Sequence, residues 1–273
     1  MGINKDQVKG RVEEAKGTIK EATGKLVFPV AVQGSVQRRA FLIAGFAGAV
    51  SCAFPHVALA VTAIGSAGAA GNRRFSVFYR GHRIGAHTVL YSWESEDMRI
   101  NTEIHLLVKI AFFTVFAFGH RSEETWRDGQ LMSLRSETVE HGENLHVEGA
   151  ATPDGFRVVS KGGPFIAPAA TLTSNSLWTP AVLEQETVVD AQHGGIIGVS
   201  ARKFADEVIV IGDRPVRATR YTFITPYLAG SIWYDEQNLW VHGEFERDGS
   251  SWCASLARRS TGCLRRIPIT SPL

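Results

Sequence analysis

From Phe75 onward, apolar and polar residues alternate with a period of two. Ile104, Leu106, Val108 and Ile110 are interleaved with Glu103, His105, Leu107 and Lys109, which is how a strand with one buried face reads. Residues 112–118 (FFTVFAF) are apolar at both parities, predicting a strand covered on each side or lining a cavity. Arg80-Gly81, Asp128-Gly129, Asp154-Gly155 and Asp248-Gly249, with Asp235-Glu236-Gln237-Asn238 as a longer turn, punctuate the pattern and predict hairpins. Hairpins in succession give an antiparallel up-and-down sheet. Roughly eight to eleven strands would close or nearly close into a barrel-like shell without exposed edges, with a sandwich as the second architecture. Residues 161–185 carry three prolines and little alternation, and predict a packed crossover between two halves of the sheet in preference to a lid.

The first 27 residues obey another period. Val8, Ala15 and Ala22 share one heptad position, Val12, Ile19 and Leu26 a second, and Gly10, Gly17 and Gly24 a third, predicting an amphipathic helix. Each glycine costs ~1 kcal/mol against alanine, so this helix is marginal until packed. Between residues 28 and 60, Arg38 and Arg39 stand before Phe41 and Leu42, and no charged residue follows until Arg73. A positive end, an apolar stretch and small residues are the order of a secretory signal, with Ala58 and Ala60 placing cleavage before Val61. The same run uncleaved would be an inner-membrane signal anchor, since ~20 apolar residues span a bilayer, and the arginines would hold residues 1–37 in the cytoplasm. Residues 61–73 read as a flexible linker. The organisation expected is therefore a helical fragment (1–27), an export segment (28–60), the linker, a β domain (74–257) and a disordered tail (258–273).

Charge changes the picture in one respect. Five of eight lysines fall within the first 25 residues, whereas residues 61–273 hold three lysines and 18 arginines, so two sequence styles are joined. With no basic run interleaved with aromatics in the β segment, nucleic acid is not an expected partner.

Candidate chemistry is sparse. His82 and His87, like His141 and His146, are five apart; an odd spacing puts strand side chains on opposite faces, so neither pair chelates. Solvated turn histidines, no metal and no cofactor are expected. Glu123, Glu124 and Asp128 around Trp126 are the candidates for acid–base chemistry, set against cross-strand pairing with Arg121, Arg127 or Arg135. Cys253 is expected as a free thiol packed as a small hydrophobe. Trp126, Trp178, Tyr227, Trp233 and Trp240 are the candidate ligand-binding residues, set against core filling; Trp233 and Tyr234, being adjacent, must face opposite ways.

Three resemblances add to this reading. NKDQVKGRVEEAKGTIKEATGK (residues 4–25) resembles the opening of the CsbD-like family of small bacterial stress-response proteins. QRRAFLI resembles a twin-arginine export motif, which implies the export machinery and a signal peptidase as partners. FSVFYRGHRIGAHTV, EETWRDGQLMSLRSET and GSIWYDEQNLWVHGEFERDGS (within 74–257) resemble an uncharacterised family of secreted bacterial β-proteins, a domain of unknown function. That resemblance implies an antiparallel, lipocalin-like barrel or half-barrel in the periplasm or cell envelope. The expected function is non-enzymatic binding of a lipid or other apolar small molecule, or an envelope scaffold. The alternatives are a periplasmic hydrolase using the carboxylates near Trp126 and a stress-response protein acting through its N-terminus.

Overall fold

The computed structural model describes residues 72–256, except 111 and 248, and the backbone of 265–266. The expected N-terminal helices, the signal residues Arg38, Arg39, Phe41 and Leu42, the cleavage residues Ala58 and Ala60, and the CsbD-like words all lie outside them.

The chain first lays down a meander of eight strands, β1 (Arg73–Tyr79), β2 (His82–Glu94), β3 (Asp97–Ile110), β4 (Phe113–Arg127), β5 (Gln130–Glu140), β6 (Glu143–Thr152), β7 (Gly155–Ser160) and β8 (Phe165–Ala167). A crossover follows, with two 3-10 turns (Ser176–Trp178 and Pro180–Glu184) and a small hairpin of β9 (Thr187–Val189) and β10 (Ile196–Gly198). A second meander runs through β11 (Ser200–Ile211), β12 (Arg214–Ile224), β13 (Ala229–Asp235), β14 (Trp240–Arg247) and β15 (Ser250–Ser255). In the segment expected to be a disordered tail, β16 (Arg265–Arg266) pairs with Ile209 and Val210.

Among the described residues, fourteen strands form one antiparallel sheet in the order β16-β11-β12-β13-β14-β15-β1-β2-β3-β4-β5-β6-β7-β8. The last strand of the second meander pairs with the first of the first, Ser255 opposite Ser76 and Trp252 opposite Tyr79. The sheet is not closed. Eight to eleven strands are thus corrected to fourteen, and of the closed and the nearly closed shell expected, the closed one is excluded. The count ran low because β5–β6 and β11–β12 turn at His141-Gly142 and at Gly212-Asp213, outside the Asp-Gly pattern. His141 and Gly142 both have positive φ (52° and 81°), as do Asp128 and Gly129 (48° and 77°), the geometry that matches a two-residue turn to strand twist.

One face of nearly every strand feeds a single core. Phe75, Ile100, Trp126, Leu134, Val147 and Phe156 from the first meander join Phe223, Tyr234 and Trp240 from the second, and Trp178, Val182 and Leu183 of the crossover lie among them. Strands so far apart in the sheet share a core because the sheet curls around the crossover, which fills its concave side. The expected packed crossover is what the structure has. Burying Trp178 to 2% exposure is worth about 3–5 kcal/mol by the cost of truncating such a side chain. Trp233, on the opposite face from Tyr234, packs with Ile209, Ala218 and Val241. Cys253 is disulfide-bonded, so the expected free thiol is corrected; its partner lies outside the described residues. Among the described residues no helix is long and apolar enough to cross a membrane.

Candidate functional site

The inner face of β4 is polar where a core would ordinarily be apolar. His120, Ser122, Glu124 and Trp126 are all buried, while Arg121 and Glu123 between them are exposed. The crossover supplies their partners. Asn175 Nδ2 donates to Ser122 Oγ (2.8 Å) and to His120 Nε2 (2.9 Å). His120 therefore carries its proton on Nδ1 and donates it to Thr138 Oγ1 at 2.8 Å. Burial pushes its pKa down to about 4, so the ring is neutral, as that bonding requires. Glu124 accepts from Trp126 Nε1 at 3.0 Å and from Thr173 Oγ1. Burial pushes this carboxyl up to about 7 against those two bonds. Ser136 Oγ donates to the Ala191 carbonyl. These bonds fasten the crossover to the sheet by satisfying groups that would otherwise be buried alone, each worth ~1 kcal/mol.

A second cluster ties β9–β10 to both meanders. Asp190 Oδ2 accepts from Tyr227 Oη (2.6 Å) and His193 Nδ1 (2.9 Å), and Oδ1 from the Gln192 amide (2.8 Å). His193 Nε2 meets Glu140 Oε2 at 3.1 Å, and Arg247 Nη1 lies 3.8 Å from Glu140 Oε1. Hydrogen bonds to Asp190 and then Glu140 raise the His193 pKa to about 9, so the imidazolium donates from both nitrogens. Burial pushes Asp190 and Glu140 up, and the bonds and charge of His193 outweigh it, leaving both carboxyls below their usual range. With both nitrogens donating, His193 has no lone pair for general-base work at neutral pH.

Between sheet and crossover lies a cavity of about 190 Å³. Leu106, Phe116 and Phe118 of β3–β4 form one wall, and Leu183, Leu228 and Phe245 the facing one. Strand register orders its polar groups. His87, Ile104, His120 and Thr138 pair in one row across β2–β5, and Leu106, Phe118 and Glu140 in the row nearer the β3–β4 turn. His87 and Asn175 thus stand at the inner end, Glu140 with Asp190, Tyr227 and Arg247 at the outer. The His87 ring lies edge-on to Trp240 (4.9 Å, 76°), burial holds its pKa down at about 3, and its Nε2 is buried without a hydrogen-bond partner.

Of the candidate ligand-binding residues, Tyr227 lines this cavity. Trp126 and Trp178 pack edge-to-face in the core (5.6 Å, 84°), and Trp240 stacks on Phe75 at 3.9 Å behind the cavity wall. Trp233 is on the opposite face, its Nε1 donating to Glu207. The three carboxylates around Trp126 do not converge: Glu124 points inward, Glu123 outward, and Asp128 sits in the turn. The arginines named for them pair elsewhere, Arg127 with Asp97, Arg121 with Glu103 and Arg135 with Glu148. His82 and His146 are exposed, but His87, His120 and His242 are buried, correcting the expectation of solvated turn histidines. His193, Asp190 and Glu140 were missed, and His87 was weighed only as a metal ligand. The one signal was a histidine or carboxylate at inward parity beside an inward aromatic, as at His120 and Glu124 before Trp126.

The model of the family described as a domain of unknown function, DUF6134, matches residues 75–256, the whole sheet but the first two residues of β1 and the two-residue β16. The chain belongs to this family. The DUF6134 match spans nearly the same residues as the expected β domain, and both the crossover and the cavity lie within it. A crystal structure of a β-barrel-like protein of the domain of unknown function DUF1849 from Brucella abortus is similar, with 10% identity and a TM-score of 0.48, covering 72% of this chain and 97% of that one. No curated protein matches the chain.

Proposed function

We propose that the DUF6134 domain binds a small, largely apolar molecule whose inner end is uncharged and hydrogen-bonding. The observation that carries this is His87, a neutral, buried ring with an unpartnered nitrogen, at the inner end of a cavity whose walls between its two polar ends are apolar. A buried polar group without a partner costs free energy, and a ligand hydroxyl or amide reaching the ring's cavity side recovers part of it. An apolar cavity of ~150 Å³ holds a benzene-sized molecule, so about 190 Å³ suits a substituted single ring or the end of an aliphatic chain. A charged inner end is disfavoured, because His87 does not become cationic near neutral pH to receive an anion. Binding without catalysis is the favoured reading: His193 is fully bonded, and Glu124 is 1% exposed. An envelope location is part of the proposal and rests on the export segment.

Calorimetric titration of the purified chain with phenol, benzyl alcohol and benzoate tests this. Saturable binding of the first two, weaker binding of benzoate and loss of all three in Leu106→Trp, which fills the cavity, are expected. Absence of saturable binding by the neutral ligands, with native mass spectrometry showing no copurifying apolar molecule, refutes it.

A further inference from the structure

The β3–β4 hairpin lines the cavity on its inner side and ends in exposed aromatic surface. Phe112 is 98% exposed, Phe113 60%, and Leu107 45% on the outer side. Single exposed apolar residues are ordinary, but two successive phenylalanines at the tip of strands of 14 and 15 residues are not. Cations flank the tip on its β2 side. Lys109 is on β3 itself. The β1–β2 turn brings Arg80 and Arg83 alongside, since β2 pairs with β3 from Gly85 opposite Leu106 and Arg83 stands two residues nearer the tip. All three are exposed, and none makes an ion pair among the described residues. On the far side of the hairpin, Glu143 of β6 is paired with Lys161 at 3.3 Å; Glu246 of β14 is exposed at the same end of the sheet.

We propose that this tip docks on an anionic lipid bilayer, Phe112 and Phe113 entering the headgroup boundary while Arg80, Arg83 and Lys109 face acidic headgroups. Aromatic side chains favour that boundary, and cations beside it are attracted by anionic lipid. Charge decides between a membrane and a second copy of the chain: a two-fold interface sets the same patch against itself, bringing the three cations against three more. Docking here places the outer end of the cavity at the bilayer surface. The proposal stands on the tip alone and does not depend on the cavity being a binding site.

Hydrogen exchange of the full chain, read by mass spectrometry with phosphatidylcholine or mixed phosphatidylcholine–phosphatidylglycerol vesicles, tests it. A local readout is needed because the apolar residues 40–71 can partition on their own. Peptides spanning residues 107–116 are expected to exchange more slowly with the anionic vesicles and to change little with neutral ones. Phe112→Ser with Phe113→Ser should weaken tip protection more than tenfold in lipid concentration, and Arg83→Glu or Lys109→Glu by at least fivefold each. Exchange in peptides from β5–β7 should be unchanged in every variant, showing that the fold persists. Tip exchange that ignores vesicles, equal protection by neutral lipid, or protection appearing with protein concentration in the absence of vesicles would overturn the proposal, the last assigning the tip to a second copy.

Discussion

Glu124 offers the sharpest test of how the crossover is held. In Glu124→Gln the amide oxygen can accept from Trp126 Nε1 while the amide nitrogen donates to Thr173 Oγ1. Thr173 then turns its hydrogen to Ser176 Oγ, 3.2 Å away, so both bonds survive and only the ionisation is removed. Burial raises the Glu124 pKa from 4.5 to about 7. The unfolded carboxyl therefore ionises before the folded one. Its contribution to stability is greatest below pH 4.5 and is lost as pH rises through 7. At about 1.4 kcal/mol per pKa unit, ionisation costs the wild type roughly 3 kcal/mol at pH 8, and the glutamine variant nothing. Urea unfolding of both proteins at intervals between pH 4 and 8, taken as a difference, cancels every other titrating group. The variant should gain on the wild type between pH 4.5 and 7, with a slope approaching 1.4 kcal/mol per pH unit, and the difference should be flat at pH 8. A difference constant within about 0.5 kcal/mol, the scale of an ordinary surface substitution, would refute a buried, ionisable Glu124.

Three further outcomes follow from the same structure. The pKa of His193 is raised to about 9, so its stabilisation is complete below pH 6.5 and lost as pH rises through 9. Because the side chain is 37% exposed, screening reduces the effect to about 1 kcal/mol, and calorimetry should show a fall in Tm over that window that His193→Gln removes. Trp178→Ala should cost about 3–5 kcal/mol in urea unfolding and speed hydrogen exchange in β9–β10, since the crossover loses its largest anchor. A Cβ at Gly85 would strike the His105 carbonyl oxygen, so Gly85→Val should part β2 from β3 beside the cavity and cost about 1–3 kcal/mol, measured in the same way.

Much of the sheet was legible because its strands obey local rules. Ile104 and Leu106 take the parity that lines the cavity, and Arg80-Gly81 and Asp128-Gly129 are two-residue turns as read. Residues 112–118 read as covered on both sides or cavity-lining; Phe116 and Phe118 do line the cavity, and Phe113 is exposed instead. The polar interior was not legible. Glu124 at inward parity is indistinguishable from a solvated charge until Thr173, 49 positions away, is brought to it. Asp190 and His193 sit where no periodicity operates, and Tyr227 and Glu140, their partners, come from opposite meanders. Long-range pairing, not residue type, makes that cluster.

The route of the chain through its own concave side has a kinetic consequence. β1 through β8 can pair neighbour by neighbour as they leave the ribosome, and so can β11 through β15, but the first and last of these strands meet each other only across nearly the whole domain. The crossover comes from the middle of the sequence and packs on the concave side that this pairing completes, so its contacts to both meanders are all in place only once β15 has met β1. Contacts of such sequence separation slow folding. Until the last step the inner face of the first meander, with its buried Glu124 and His120, stands open to water, and the second meander has no partner for its end strand. That interval, rather than the finished fold, is when this domain is most exposed to proteolysis and to pairing with another chain.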